Sequence, residues 1–286
     1  MRLAVALTAV MVTAGCTTAP GGADGDLTDD WPPPPAPSPF RPAAHACHVR
    51  LPETASAADR PVSCDQVHVS ETFHLGTAAD ADVPPAPGTP GARAAYRECS
   101  DAAVTFTGGQ WRTARLAVHV VWPAREAWSR GARWFRCDLT QTDLDGYGRS
   151  GRSGSLEGEL TRPSPLRLTC FAPTVDGGTV TAMRPVACAA KHRAEFAGLW
   201  HAPDVAYANL QAGTARAATA CRSVIARFAA LPDDADMQYR SGWISYNPTR
   251  TEWLAGERRV RCFLYFAERT WTRSLRGAGP SVLPAG

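Results

Sequence analysis

The chain of 286 residues is 44% hydrophobic and 20% charged, which excludes both a disordered polyelectrolyte and a multi-span membrane protein and leaves room for one large or two ordinary domains. Its formal net charge of +3 is small and mixed in sign along the chain, so neither nucleic-acid binding nor a polybasic membrane contact is expected. Every basic residue except Lys191 is arginine, and with the alanine richness this fits the codon bias of a high-GC bacterial genome.

Residues 1–15 read as an export signal: Arg2, an apolar run from Leu3 to Val12, then Thr13-Ala14-Gly15 before Cys16. The run is too short for a comfortable membrane span. A cysteine at the first mature position is the acceptor for a diacylglyceryl, palmitate-type anchor, each buried methylene contributing about 0.8 kcal/mol to membrane binding. Cys16 is therefore the expected lipidation site, and the mature protein is expected at the extracytoplasmic face of the cell membrane. Residues 16–44 follow with Asp24, Asp26, Asp29 and Asp30 and then seven prolines between Pro32 and Pro42. Such a segment favours extended polyproline II and serves as a semi-rigid tether.

The remaining eight cysteines expose a periodicity. Cys47, Cys64, Cys99 and Cys137 recur 123, 124, 122 and 125 positions later as Cys170, Cys188, Cys221 and Cys262. Pro61-Val62-Ser63-Cys64, with His68 and Glu71 beyond it, matches Pro185-Val186-Ala187-Cys188 with His192 and Glu195. Pro123, Trp128, Gly131, Arg133, Arg136 and Cys137 recur as Pro248, Trp253, Gly256, Arg258, Arg261 and Cys262, and Ser155-Leu156 is echoed by Ser274-Leu275. The chain reads as two tandem modules, 45–160 and 165–280, with a seam near Thr161 to Pro165.

Each module predicts the same coarse order. Extended chain precedes the second cysteine; alanine-rich helix follows over 92–105 and 207–230; strands are expected over 115–122 and 237–246, then over 132–139 and 258–266. Pro-x-x-x-x-Trp-x-x-Gly is expected as the loop between the last two strands, with Trp128 or Trp253 as its anchor. The fold class is α+β, a small antiparallel sheet with a helix laid across one face, stapled by disulfides. Four cysteines allow three connectivities per module. A hairpin favours Cys47 with Cys64 and Cys170 with Cys188; a helix-to-sheet clamp favours Cys99 with Cys137 and Cys221 with Cys262. An exported chain without any Cys-x-x-Cys pair argues against zinc, and no metal or cofactor is expected.

His68 with Glu71 and His192 with Glu195 are the candidate binding residues, because a repeated His-x-x-Glu can pair a base with an acid or offer two metal ligands. No further repeated His, Asp or Glu is expected to complete a metal site, so a His capping a strand end beside the disulfide is the plainer reading. Gly148-Arg149-Ser150-Gly151 lacks the spacing of a nucleophile elbow. Arg133 and Arg136, like Arg258 and Arg261, sit three apart and so on opposite faces of a strand, which speaks against one anion clamp. Trp122, Trp128, Tyr246 and Trp253 are candidates for stacking on sugar rings, with loop anchoring the simpler role.

Taken together, the lipobox, Pro-Val-x-Cys with its His and Glu, Pro-x-x-x-x-Trp-x-x-Gly-x-Arg-x-x-x-Cys and Ser-Leu-x-Gly resemble the septum formation family of actinobacterial lipoproteins over about residues 43–160 and 165–280. The resemblance implies an envelope protein associated with division septa and carries over no catalytic residues. The expected role is a non-enzymatic binding module for an envelope protein or cell-wall component, membrane-anchored through lipid, without a nucleic-acid partner. The alternative is an envelope hydrolase or metal-binding lipoprotein built on the His-x-x-Glu pairs.

Overall fold

The computed structural model describes residues 40–55, 59–144 and 148–285; the expected signal peptide, Cys16 and the tether as far as residue 39 lie outside them. In the first half, strands β1 (Ala46–His48), β2 (Thr54–Ala55), β3 (Ser70–Thr77), β4 (Leu116–Pro123), β5 (Trp134–Thr142) and β6 (Arg149–Ser150) form one sheet. Its order is β1-β3-β5-β4-β2, with β6 added to β5. In the second half, β7 (Cys170–Asp176), β8 (Thr179–Val186), β9 (Ala194–His201), β10 (Gly242–Tyr246) and β11 (Arg259–Tyr265) form the other, in the order β10-β11-β9-β7-β8.

Helix α1 (Pro90–Thr107) begins where Thr89 accepts from the Ala92 amide and Pro90 supplies a preset φ, and it ends at Gly108 with φ 70°. Ala92, Ala95, Tyr96, Cys99 and Ala103 recur at helical spacing and bury one face, which packs across β3 and β4. In the second half the expected continuous helix breaks at Gly213 into α3 (Tyr207–Ala212) and α4 (Thr214–Ala229). Helix α4 buries Cys221, Val224, Ile225 and Phe228 and lies on β9, β10 and β11.

The architecture is α+β, with two sheets, six α-helices and four disulfides among the described residues. Three details differ from expectation. The first sheet is not wholly antiparallel, because β2 runs parallel to the end of β4. Residues Met237–Arg240 form a helical turn, α5, since Met237 must turn inward to join the core, and only Gly242–Tyr246 is strand. The Trp-bearing connections are helical too: α2 (Arg125–Ser129) and α6 (Arg250–Ala255), the latter opened by a capping box between Thr249 and Glu252.

Both central strand pairs carry a bulge in the same place, skipping Phe73 between Thr72 and His74 and skipping Ala197 between Phe196 and Gly198. The described residues form one compact unit. Its halves are joined by a polar seam: Glu257 accepts from the Tyr96 hydroxyl at 2.8 Å and from Arg112 Nε at 2.6 Å. Arg261 donates to the backbone carbonyls of Arg112, Ala114 and Leu116.

Candidate functional site

The disulfides pair Cys47 with Cys64, Cys99 with Cys137, Cys170 with Cys188 and Cys221 with Cys262, with Cα separations of 5.2 to 5.3 Å. The first of each pair closes the extended chain and the second clamps helix to sheet. Each loop closure stabilises its half by roughly 2–4 kcal/mol.

The His-x-x-Glu residues lie beside the first kind of disulfide and are committed to holding the chain together. Glu71 accepts from the Ser155 hydroxyl and from the Leu156 amide at 2.7 Å; Glu195 does the same with the Ser274 hydroxyl and the Leu275 amide at 2.8 Å. The two echoes seen separately in the sequence are thus the two sides of one contact. His68 and His192 donate from Nδ1 to the carbonyls of Gln66 and Ala190, each at 2.9 Å. Their backbones bridge to Arg152 and Trp271, pinning the C-terminal segment of each half to its sheet. Both Nε2 atoms are buried and unpartnered. Cys170, His192 and Glu195 do approach within 4.8 Å of one another, as do Cys47, Cys64 and Glu71. Oxidised sulfurs, however, offer no thiolate, and both glutamate carboxylates are already hydrogen-bonded. Neither histidine lines any of the clefts described below.

The repeated arginines divide by position. Arg133 donates to Asp80 at 2.7 Å and to the Trp128 carbonyl while its guanidinium lies 4.6 Å from the centre of the Trp128 ring. Arg258 repeats this with Asp204, the Trp253 carbonyl and the Trp253 ring at 3.9 Å. The indole nitrogens complete the set by donating to the carbonyls of Ala81 and Val205. At 1% and 2% exposed, Trp128 and Trp253 are anchors and present no free face to a sugar. Asp80 and Asp204 correct the expectation that no further acidic residue repeats: they sit 124 positions apart, a signal readable in the sequence, but they hold arginine rather than metal.

Arg136 and Arg261 part company. Arg136 is fully buried in its own half and pairs with Asp138 at 2.9 Å, whereas Arg261 is the residue that crosses to the other half. Around Arg136, the sheet face turned away from α1 is a polar cluster. Thr72 donates to Asp138 at 2.7 Å, His48 Nε2 lies 3.1 Å from the Thr72 hydroxyl, and His119 lies 2.9 Å from that of Thr140. Burial, followed by the charge of Arg136, lowers the His48 pKa to about 4; burial, followed by Arg149, lowers that of His119 to about 3. Burial outweighs Arg136 at Asp138, whose pKa is raised. Apart from Arg136, the sequence does not mark these residues, because nothing in the second half echoes His48, Thr72, His119 or Asp138.

Two clefts flank the Arg–Trp anchors at matching places. Beside Arg133, about 340 Å³ is bounded by Thr77, Gly131, Trp134, Phe40 and Arg41. Beside Arg258, about 580 Å³ is bounded by His201, Asp204, Gly256, Arg93 and Arg97. The first is closed by the end of the tether, where the Phe40 carbonyl accepts from the Trp134 indole at 3.1 Å. The second is closed by α1 from the other half and is strongly basic.

The family model described as septum formation matches residues 44–262. No curated protein and no solved structure matches the chain.

Proposed function

The chain belongs to the septum formation family, and on that premise we propose that it is an actinobacterial lipoprotein, anchored through Cys16 to the extracytoplasmic face of the membrane, that binds an envelope protein or wall component during division. The observation that carries the binding over the catalytic reading is the use made of the His-x-x-Glu pairs. Both glutamates are spent on the Ser-Leu turns and both histidines are inside the packing, so the constellation best suited to acid–base work is structural. The proposal includes a duplication, with halves of about 45–160 and 165–280. The shared order of four strands, β1-β3-β5-β4 against β7-β9-β11-β10, the bulge in the same place and the paired Glu–Ser–Leu and Arg–Asp–Trp sets support it.

No helix among the described residues is long and apolar enough to cross a membrane. Cys16→Ser is therefore expected to move the protein from the membrane fraction to the medium, or to stall it as precursor, while the eight domain cysteines still pair. A processed variant that stays membrane-bound would show that another contact holds it. For the binding role, crosslinking in dividing cells should recover an envelope partner, and a fluorescent fusion should concentrate at septa. An even distribution through division with nothing recovered would end the septal reading.

A further inference from the structure

We propose that the cleft between α1 and the start of β11 is a binding site for phosphate groups of an envelope polyanion. This names a ligand class for the binding role above and rests on that reading. Arg93 and Arg97 stand one helical turn apart on α1, and Arg258 faces them from the second half. The cleft contains one carboxylate, Asp204, which is already held between two of the three guanidiniums: Oδ2 accepts from Arg93 at 3.0 Å and Oδ1 from Arg258 at 2.7 Å. Arg97 is exposed and has no hydrogen-bond or ion-pair partner among the described residues. His201 adds a ring nitrogen to the same wall. The result is a concave surface of three guanidiniums against one carboxylate, with one fork left unpaired, and planar guanidinium donors suit phosphate oxygens. A volume of about 580 Å³ exceeds what a lone phosphate would fill and suits a segment of a repeating chain.

The matching cleft of the first half is an internal control. Thr77 and Trp134 stand where His201 and Arg259 stand in the second half, and Phe40 of the tether packs edge-on against Trp134 at 5.9 Å. Its nearest unpaired cation is Arg41.

The test uses the full mature chain in detergent, titrated by calorimetry with inorganic phosphate and with a short poly(glycerol phosphate), and in parallel floated with vesicles of phosphatidylglycerol or phosphatidylcholine. Binding to the polymer is expected to exceed binding to inorganic phosphate. Arg97→Ala should weaken it about tenfold, the scale of one lost charge-assisted hydrogen bond, with unchanged thermal stability. Arg97→Lys should recover part of the loss, and Arg41→Ala should have no effect. Arg97-dependent binding to phosphatidylglycerol vesicles in preference to the polymer would support the same phosphate chemistry and identify the source as a lipid headgroup. No binding to any phosphate probe, or binding that Arg97→Ala and Arg93→Ala leave intact, would overturn the proposal. Membrane release by Cys16→Ser and recovery of a septal partner do not depend on Arg97, so failure here is separable from failure of the lipoprotein reading.

Discussion

The sheet faces turned away from the helices have the same register in the two halves and opposite chemistry. In the first half the cross-strand rows read Thr140, Ser70 and His48, then His119, Asp138 and Thr72, then Val121 and Arg136. In the second they read Tyr265, Ala194 and Phe171, then Ile244, Phe263 and Phe196, then Tyr246 and Arg261. What covers each face accounts for the difference. The second face is capped by the other half through Leu144, which packs into the aromatic cluster beside Leu168 of the second half itself, so apolar side chains there join the halves. The first face is covered near β4 by its own chain, Leu51, Ala55 and Phe40, and its interior remains polar. The same cross-strand register can therefore support a docking surface or a buried ion pair, and neighbours decide which.

The sharpest way to break the comparison is to remove the one residue common to both faces. Arg136→Met leaves Asp138 buried without its cation and should cost about 3–5 kcal/mol in urea unfolding. Arg261→Met removes hydrogen bonds to the Arg112, Ala114 and Leu116 carbonyls and a cation near Glu252 and Glu257, but those carboxylates keep Thr249, Arg112 and Tyr96 as partners, so it should cost about 1–3 kcal/mol. If the second variant proves the more damaging, burial of charge does not distinguish the faces.

Acidification should act chiefly on the first half, because the groups of the second half whose pKa values are lowered, His201 and Asp204, are exposed to solvent. His48 and His119 are held neutral in the fold, so the unfolded chain takes up protons below pH 6.5 while the folded chain resists until about 4 and about 3. Stability is thus lost as pH falls from 6.5, and the loss levels off once both have titrated in the fold. Asp138, raised by burial, protonates earlier in the fold than in the unfolded chain and offsets part of that loss. Phe171 and Ile244, at the matching positions, carry no proton. His48→Phe with His119→Ile should therefore flatten the fall in Tm between pH 6.5 and 4 in calorimetry; an unchanged slope would place the acid sensitivity elsewhere.

Much of this fold is written locally. The alanine-rich helices and the tryptophan loops carry their information within single elements, whereas the cysteines speak through a recurrence at 122–125 residues; that spacing leaves three connectivities per half, of which the hairpin and helix-clamp pairing is the one observed. The first-half cluster was not legible because His48, Thr72, His119 and Asp138 come from four strands and acquire meaning only in cross-strand register. Glu257 was invisible for a related reason: its counterpart is Ala132, so repetition could not point to it, and its partners Tyr96 and Arg112 lie across the seam. Repetition read well wherever both halves solve a local problem alike, and it was silent where they meet.

Where the halves agree, substitutions should agree. Glu71→Gln and Glu195→Gln each remove the charge that receives a Ser hydroxyl and a Leu amide in a buried setting, with a loss of about 1–3 kcal/mol expected at either site. Matched thermal melts of the two variants would establish the shared role. A large cost at one and none at the other would mean that only one Ser-Leu turn is a structural staple.

The smallest expected difference lies between the Arg–Asp–Trp anchors. Lysine at either arginine keeps a charge but cannot at once reach the aspartate, hold the tryptophan carbonyl and cover the indole face. The Arg133 side chain is 26% exposed and its partner Asp80 is 91% exposed, so that pair is largely solvated and contributes little. Arg258 is 9% exposed, sits closer to its ring and shares Asp204 with Arg93 from the other half. Arg258→Lys should thus lower stability by about 1 kcal/mol, near the scale of a partly desolvated cation–π contact, and Arg133→Lys by less. Equal losses would imply that the bridge from Asp204 to Arg93 adds nothing to the packing of the two halves.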